Sequence, residues 1–527
     1  MLKSLSFSRR LDHLLRANQQ SLLRHGLKGL EKESLRISTH GQIALTPHPS
    51  RLGSALTHPW ITTDYSEALI ELITPPSAAP EEALGFLADL HAFVHAHLED
   101  EVLLATSMPI GLKGDESIPI ARYGHSNIGQ MKHVYRRGLG YRYGRTMQAI
   151  AGVHFNYSVN EDLWPILQDC EQDNATADDY IARAYFGLIR NVHRLGWLLI
   201  YLFGHSPAIC TSFFHGRESL SERFSAFDRD TLYRPFATSL RMSDIGYRND
   251  NQTRLDISFD SLDNYVNSLA QAIEQPYPPY ADIGIKVNGE YRQLNANILQ
   301  IENEYYSSIR PKQIAHSGEK PTLALKKRGV RYVELRSLDL MSFAHEGVSL
   351  DQMRFLEVFL LLCLMLDSAP LGHDEKAESS QNNLNVACCG RGPNFSLLRQ
   401  GKPVQLRQWA SEILDRMADV AACLDEGTQD APYTQSILSQ RSAVDDPEMT
   451  PSARVLRDMR TDGMSFAEFA LNQSSQHARH WRAHRLDRDR QQAFEKATVE
   501  SWTKQQQIEQ SDTLSFDAFL QAYWSQS

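Results

Sequence analysis

Apolar and polar positions along this chain recur with two different periods. From about residue 27 to 340, short stretches that alternate residue by residue stand between longer stretches with helical spacing. Beyond about residue 350 the helical period dominates. Leu11, Leu14, Leu15, Leu22 and Leu23 cluster at helical intervals, so residues 8–24 read as an amphipathic helix. Further helices are predicted over 80–100, 176–203 and 260–274, then over 351–367, 405–424, 452–472 and 484–509. Residues 285–287 followed by Asn288-Gly289 predict a hairpin with a return strand toward 293–301. Residues 371–385 are polar and read as a mobile loop. The two most apolar runs, 195–203 and 358–366, are each about nine residues long, against about 20 needed for a bilayer. They read as buried helices.

Four of the alternating segments carry polar groups where a strand should bury apolar ones. In Gly29-Leu-Glu31-Lys-Glu33-Ser-Leu35-Arg-Ile37 the two carboxylates share a face, roughly 7 Å apart along the strand. Leu35 and Ile37 continue that face. Two such charges repel by roughly 2 kcal/mol at an effective dielectric of about 20. A solvated acidic face and a cation-binding face both fit this pair. In Trp60–Pro75, Glu71 shares a face with Leu69 and Ile73, and Asp64 lies in a turn just upstream. A buried carboxylate there calls for pairing or coordination. In Gly152–Ser158, Val153, Phe155 and Tyr157 form one face, and His154, Asn156 and Ser158 form the other. In Val330–Asp339, Glu334 and Arg336 lie opposite Val333 and Leu335, which fits either a simple ion pair or a metal ligand beside a phosphate-gripping guanidinium. Arg310 and Lys312 add cations nearby in sequence. Oxygen ligands with one imidazole suit Mg²⁺ or Mn²⁺ rather than zinc, and the basic groups suit a nucleoside triphosphate. Without a cation, five gathered carboxylates would repel one another, a strain that amidation of Glu334 would relieve.

Composition narrows the remaining classes. At 527 residues the length allows about three to four domains, or fewer if one is large. The excess of acidic over basic residues, 64 against 54, gives no electrostatic reason to bind nucleic acid or an anionic membrane. The N-terminal stretch has no apolar run suited to export, and the six cysteines form no CxxC pair, so a cytoplasmic protein with reduced thiols is expected. Gly124–Gly129 has the glycine spacing of a phosphate-binding loop but continues Gln130-Met131, without the lysine such a loop needs. Metal-assisted phosphoryl transfer without that loop is the chemistry the residues support.

The motifs GLEKESLR, LGSALTHPWITTDYSEALIELITP, GVHFNYS, SLRMSDIGY, LQIENEYYSSIRPK and VRYVELRSLD, in that order, resemble the glutamate–cysteine ligase family of the gamma-proteobacterial type. The likeness is specific over about 25–345 and looser beyond. It implies an α+β fold like the catalytic part of glutamine synthetase: a curved, mainly antiparallel sheet forming a funnel, with helices outside. It implies a single large catalytic domain over 1–527, with the active-site sheet in 25–345 and a helical part, 350–527, packed on it. It implies ATP and Mg²⁺ (with Mn²⁺ as a substitute), L-glutamate and L-cysteine as substrates, γ-glutamyl phosphate as intermediate, and feedback inhibition by glutathione. Carried over by motif, the metal ligands are Glu31, Glu33, Asp64, Glu71, His154 and Glu334, with Glu334 and Arg336 catalytic. Arg310, Lys312 and Arg336 would hold the nucleotide. Tyr135, Arg136, Arg241, Tyr247 and Tyr306 would line the amino-acid sites.

Overall fold

Seven strands form one open antiparallel sheet: β1 (Leu27–Ser38), β2 (Ile61–Thr63), β3 (Leu69–Ile73), β4 (Glu101–Leu103), β5 (Val153–Ser158), β6 (Ile309–Lys312) and β7 (Tyr332–Leu338). The structure, a computed structural model, describes residues 5–246 and 255–526. The strand order is β6-β7-β5-β1-β3-β2, and β4 pairs with the C-terminal end of β1. The alternating segments of the sequence are therefore the central strands. The sheet's edges stay apart among the described residues, so no barrel closes.

One face of the sheet is the core. Leu30, Ile70, Leu72, Val153, Phe155, Tyr157, Val333 and Leu335 are all buried to within 1% of fully. Burying each such side chain contributes about 1.5–3 kcal/mol toward holding the sheet together. Helices α2 (Pro80–Ala96), α4 (Ala177–Leu195) and α5 (Trp197–Phe203) pack on the sheet, and α6 (Leu350–Met365) packs on α2 and α4. The apolar runs at 195–203 and 358–366 are buried helices, and no helix among the described residues is long and apolar enough to cross a membrane.

β1 also sends three cations into this core, and each finds a partner. Lys28 donates to Glu357 Oε1 of α6 at 2.6 Å, and Tyr433 donates to the other Glu357 oxygen at 2.9 Å. Lys32 Nζ lies 3.0 Å from His91 Nε2 on α2. Arg36 pairs with Glu101 of β4 at 2.5 Å and donates to Thr46.

Several boundaries differ from the sequence reading. The 8–24 helix ends as α1 (Leu5–Arg16), and a 3-10 turn, Gln20–His25, follows a left-handed Asn18. The predicted loop at 371–385 is helix α7 (His373–Cys389), so it is not a mobile loop. Its buried positions are Ser379, Asn382, Val386 and Ala387, a helical stripe disguised by two polar residues. Asn382 is satisfied by giving a hydrogen bond to Leu398 O and taking one from Leu398 N. Residues 405–424 form α8 (Leu406–Asp425). The single helix expected over 452–472 is two, α9 (Pro451–Asp462) and α10 (Phe466–Ala483). Gly463, at φ 62°, caps the first, and a Ser465–Glu468 capping box opens the second. α11 (Arg488–Ser511) follows. The Asn288-Gly289 turn does make a hairpin, but the return strand is only Glu290–Tyr291.

Candidate metal and phosphate site

The other face of the sheet gathers the chemistry, and register decides which groups meet. Glu31 stands opposite His154 on β5, and Glu33 stands opposite Glu71 on β3. Glu334 on β7 stands opposite Asn156 on one side and Arg310 of β6 on the other. Between Leu335 and Leu338 the pairing of β7 with β5 shifts register, while Arg336 N–H bonds to Ser308 O and continues the ladder toward β6. Bulges of this kind re-aim a side chain beside a site. Here the bulge carries Arg336, whose Nη1 lies 3.0 Å from Glu334 Oε1 and 3.5 Å from His154 Nδ1.

Ligand atoms of Glu31, His154 and Glu334 all fall within 4.8 Å of one another. His154 Nδ1 is 3.2 Å from Glu31 Oε2 and 3.7 Å from Glu334 Oε1, and its Nε2 is 3.7 Å from Glu33 Oε1. Asn156 donates to Glu31 Oε1 at 2.8 Å. Three buried polar atoms in this cluster, His154 Nε2, Asn156 Oδ1 and Glu334 Oε2, have no hydrogen-bond partner, which buried groups rarely tolerate. Carboxylate oxygens, an amide oxygen and one imidazole in such a cluster suit a hard divalent cation such as Mg²⁺ or Mn²⁺.

The carboxylates do not share one electrostatic fate. Burial pushes Glu334 up, but Arg336, Lys312, His154 and Arg310 outweigh it and hold this carboxyl well below the usual range. Burial and Glu334 push Glu31 up, yet the hydrogen bond and charge of His154, with Lys312, bring it below normal. Glu33 goes the other way: burial and the charge of Asp64 raise it to about 8 against Arg241, Arg336 and the Gly152 N–H. Glu71 is raised well above normal by burial and by Glu31, Asp64 and Glu33. His154 is lowered by burial and by Arg336, which favours the neutral ring a metal needs. The mutual repulsion expected of all five acids therefore prevails at Glu33 and Glu71 and is outweighed at Glu31 and Glu334. Glu334 and Glu31 are held by cations and by His154.

The other expected residues arrive from outside the sheet. Asp64 directly follows β2, and its carbonyl takes a hydrogen bond from Arg136 Nε of α3 (Asn127–Tyr143). The Arg136 guanidinium lies 4.7 Å from the centre of the Tyr123 ring. Arg241 donates to Arg336 O at 2.9 Å, which brings it to the bulge, and its guanidinium fills the space a Cβ on Gly152 would take. Gly152 N–H in turn donates to Glu33 Oε2 at 2.8 Å. Lys312 Nζ is 3.2 Å from Glu334 Oε2. Arg310 is buried and spends Nη2 on the carbonyls of Asn303 and Tyr305, so it braces that loop while its charge acts on Glu334. The Tyr306 hydroxyl takes a hydrogen bond from Gln148 at 3.0 Å, and Tyr135 lies on α3 one residue before Arg136. Tyr247 lies outside the described residues. Gly152, Gln148 and Lys132 were not singled out from sequence. Lys132 carried a readable signal, since it stands one helical turn before Arg136 and so shares its face.

A sequence profile of the glutamate–cysteine ligase family matches residues 11–386. The glutamate–cysteine ligase of Pseudomonas paraeruginosa is 50% identical over 516 residues, 98% of this chain and 97% of that one. The enzyme of the same name from Azotobacter vinelandii is 49% identical over 520 residues, 98% of each chain. The crystal structure of glutamate–cysteine ligase from Francisella tularensis in complex with AMP superimposes with a TM-score of 0.89 at 36% identity, covering 95% of this chain and 97% of that one. A profile spanning most of the sequence, near-complete relatives at half identity and a shared fold agree, and the chain belongs to the glutamate–cysteine ligase family.

Proposed function

We propose that the protein joins the γ-carboxyl of L-glutamate to the amine of L-cysteine with hydrolysis of ATP to ADP and phosphate. The reading is carried by the Glu31–His154–Glu334 cluster flanked by Arg336 and Lys312, in a chain half identical to named glutamate–cysteine ligases. The nucleotide part draws support from the Francisella relative, which was crystallised with AMP.

Glutamate's γ-carboxylate oxygen attacks the γ-phosphorus of ATP, and ADP leaves. The cysteine amine then adds to the acyl carbon, loses a proton, and expels inorganic phosphate. Two anions must approach in the first step, so charge compensation dominates the barrier. Arg336 and Lys312, both beside Glu334, are placed to hold phosphoryl oxygens. Glu31, His154 and Glu334 would hold one Mg²⁺, and Glu33, Asp64 and Glu71 a second. When bound, the metal neutralises phosphate charge and orients the triphosphate. The protein's own part is to keep His154 neutral and Glu334 ionised and to hold Arg336 at the bulge, with Arg241 tied to its carbonyl. Arg136, Arg241, Tyr135 and Tyr306 line the amino-acid side. Glutathione contains both the γ-glutamyl and cysteinyl parts, so it competes at that side.

The test is ADP release with Mg²⁺, ATP and glutamate while single amines are added. Cysteine should give full turnover and γ-glutamylcysteine as product, and 2-aminobutyrate should partly replace cysteine because the amine is the nucleophile. Equal rates with unrelated bulky amines would sink the assignment.

A further inference from the structure

Lys132 is a cation the assigned roles leave over. It lies on α3, whose first turn is fixed by Ser126 accepting from Gly129 N–H at 3.2 Å. One turn on, Arg136 pins the helix to Asp64 O. Both cations face the ring of Tyr123, Lys132 Nζ at 5.2 Å from its centre and Arg136 at 4.7 Å. That ring cannot shift to suit them, because its hydroxyl is bonded to the carbonyls of Thr63 and Asp64 at 2.8 and 2.9 Å.

Two like charges over one ring repel, and Lys132 has the poorer share. Arg136 has carbonyl acceptors at Asp64 and Lys132. Among the described residues, no carbonyl or carboxylate takes a hydrogen bond from Lys132 Nζ. Burial and Arg136 lower its pKa to about 8, and Glu71 is the acid whose charge opposes them. Glu71 belongs to the metal-ligand set, so it is not a dedicated partner. Lys132 also lines a recess of about 680 Å³ between α3, the 56–57 loop, the 317–318 turn and α11. Lys504 lines it too, and no Asp or Glu does. The recess is open to solvent and offers cations without anions.

We propose that Lys132 is a substrate-binding residue that pairs with the α-carboxylate of an amino-acid substrate, beside Arg136. The inference rests on the proposed ligase reading, in which both substrates are α-amino acids. An ammonium beside a fixed guanidinium, with no protein acceptor of its own, is what a carboxylate ligand completes.

The experiment compares substrates that differ only in that group. γ-Aminobutyrate is glutamate without its α-carboxylate, and cysteamine is cysteine without its own. The ratio of kcat/KM for glutamate over γ-aminobutyrate, and for cysteine over cysteamine, is measured in the wild-type protein and in Lys132→Met. One of the two ratios should fall by about tenfold or more, the scale of one charge-assisted hydrogen bond, and the ratio that falls identifies the substrate. KM for ATP should stay as it was. Lys132→Arg should restore much of the ratio, and Lys132→Gln serves in place of the Met variant if that one does not fold. Equal losses for substrates with and without the carboxylate would mean that Lys132 only supports α3, and the inference falls while the ligase reading stands. A wild-type protein that releases no ADP with glutamate and cysteine would overturn both.

Discussion

Glu33→Gln tests the electrostatics of the site through stability rather than rate. Glu33 is 6% exposed, and its pKa moves from an ordinary 4.5 to about 8, first through burial and then through Asp64. The sign follows from proton linkage. Between pH 4.5 and 8 the folded, metal-free protein holds a proton on Glu33 that the unfolded chain has released. Stability from this group is therefore full below about pH 4.5, declines as pH rises, and levels off above about 8. At about 1.36 kcal/mol per pH unit the full decline is on the order of 5 kcal/mol. Glutamine keeps the shape, and its carbonyl can still accept the Gly152 N–H now bonded to Glu33 Oε2. The variant therefore loses the slope but not the contact. The measurement is urea unfolding of chelator-treated wild type and variant at pH 6 and pH 8.5. Titrating groups that do not feel Glu33 contribute equally to both proteins, so the difference between them reports Glu33 together with its coupling to Glu71. The variant's advantage should grow by on the order of 2–3 kcal/mol between the two pH values. Turnover with Mg²⁺ should fall by orders of magnitude. A stability difference that is the same at both pH values, or that favours the wild type at pH 8.5, would refute the reasoning.

Glu334→Gln should act with the opposite sign on stability: Arg336 and Lys312 lose the carboxylate that holds them, and the metal-free protein should lose on the order of 1–3 kcal/mol by urea unfolding, since both cations keep some contact with water. Its turnover should collapse as well, and a gain in stability would show that repulsion, not pairing, governs Glu334. Binding of Mg²⁺ should release protons below about pH 8, because Glu33 and Glu71 must ionise to coordinate; calorimetry in buffers of different ionisation enthalpy reads this directly, and no buffer dependence at pH 7 would contradict the raised pKa of Glu33. Gly152→Ala should drive the Arg241 guanidinium off the bulge and cut kcat strongly with a smaller effect on the unfolding midpoint, and near-normal turnover would remove Arg241 from the site.

The period-two pattern made the strands of the site legible, because Val153, Phe155, Val333 and Leu335 leave only one face for His154 and Glu334. Those residues could be nominated, but not joined. Glu31 meets His154, and Glu334 meets Asn156, through pairings between segments more than a hundred residues apart. Nothing local records that register. The same absence hid the split between the acids, since Glu33 and Glu334 look alike in sequence and differ only in whether Asp64 or Arg336 leads among their neighbours. Helix α7 was misread because Ser379 and Asn382 occupy buried positions that the pattern scores as polar. Gly463 ended α9 by a left-handed turn that the apolar spacing on either side conceals.

The cations on the core side of β1 bear on how the chain can be divided. Lys28 reaches α6 through Glu357, more than three hundred residues later, and both side chains are fully enclosed. A fragment ending near residue 345 would lose the cover over Lys28 and the apolar face around it, and the helical remainder would lose the cover over Glu357. A chain that kept both halves but lost one of these two charges would bury the other unpaired, a penalty of several kcal/mol. Genetic exchange that swapped the helical half for one lacking that glutamate would carry the same fault. The strand that carries Glu31 and Glu33 on one face thus ties the sheet to its helical cover through Lys28 on the other.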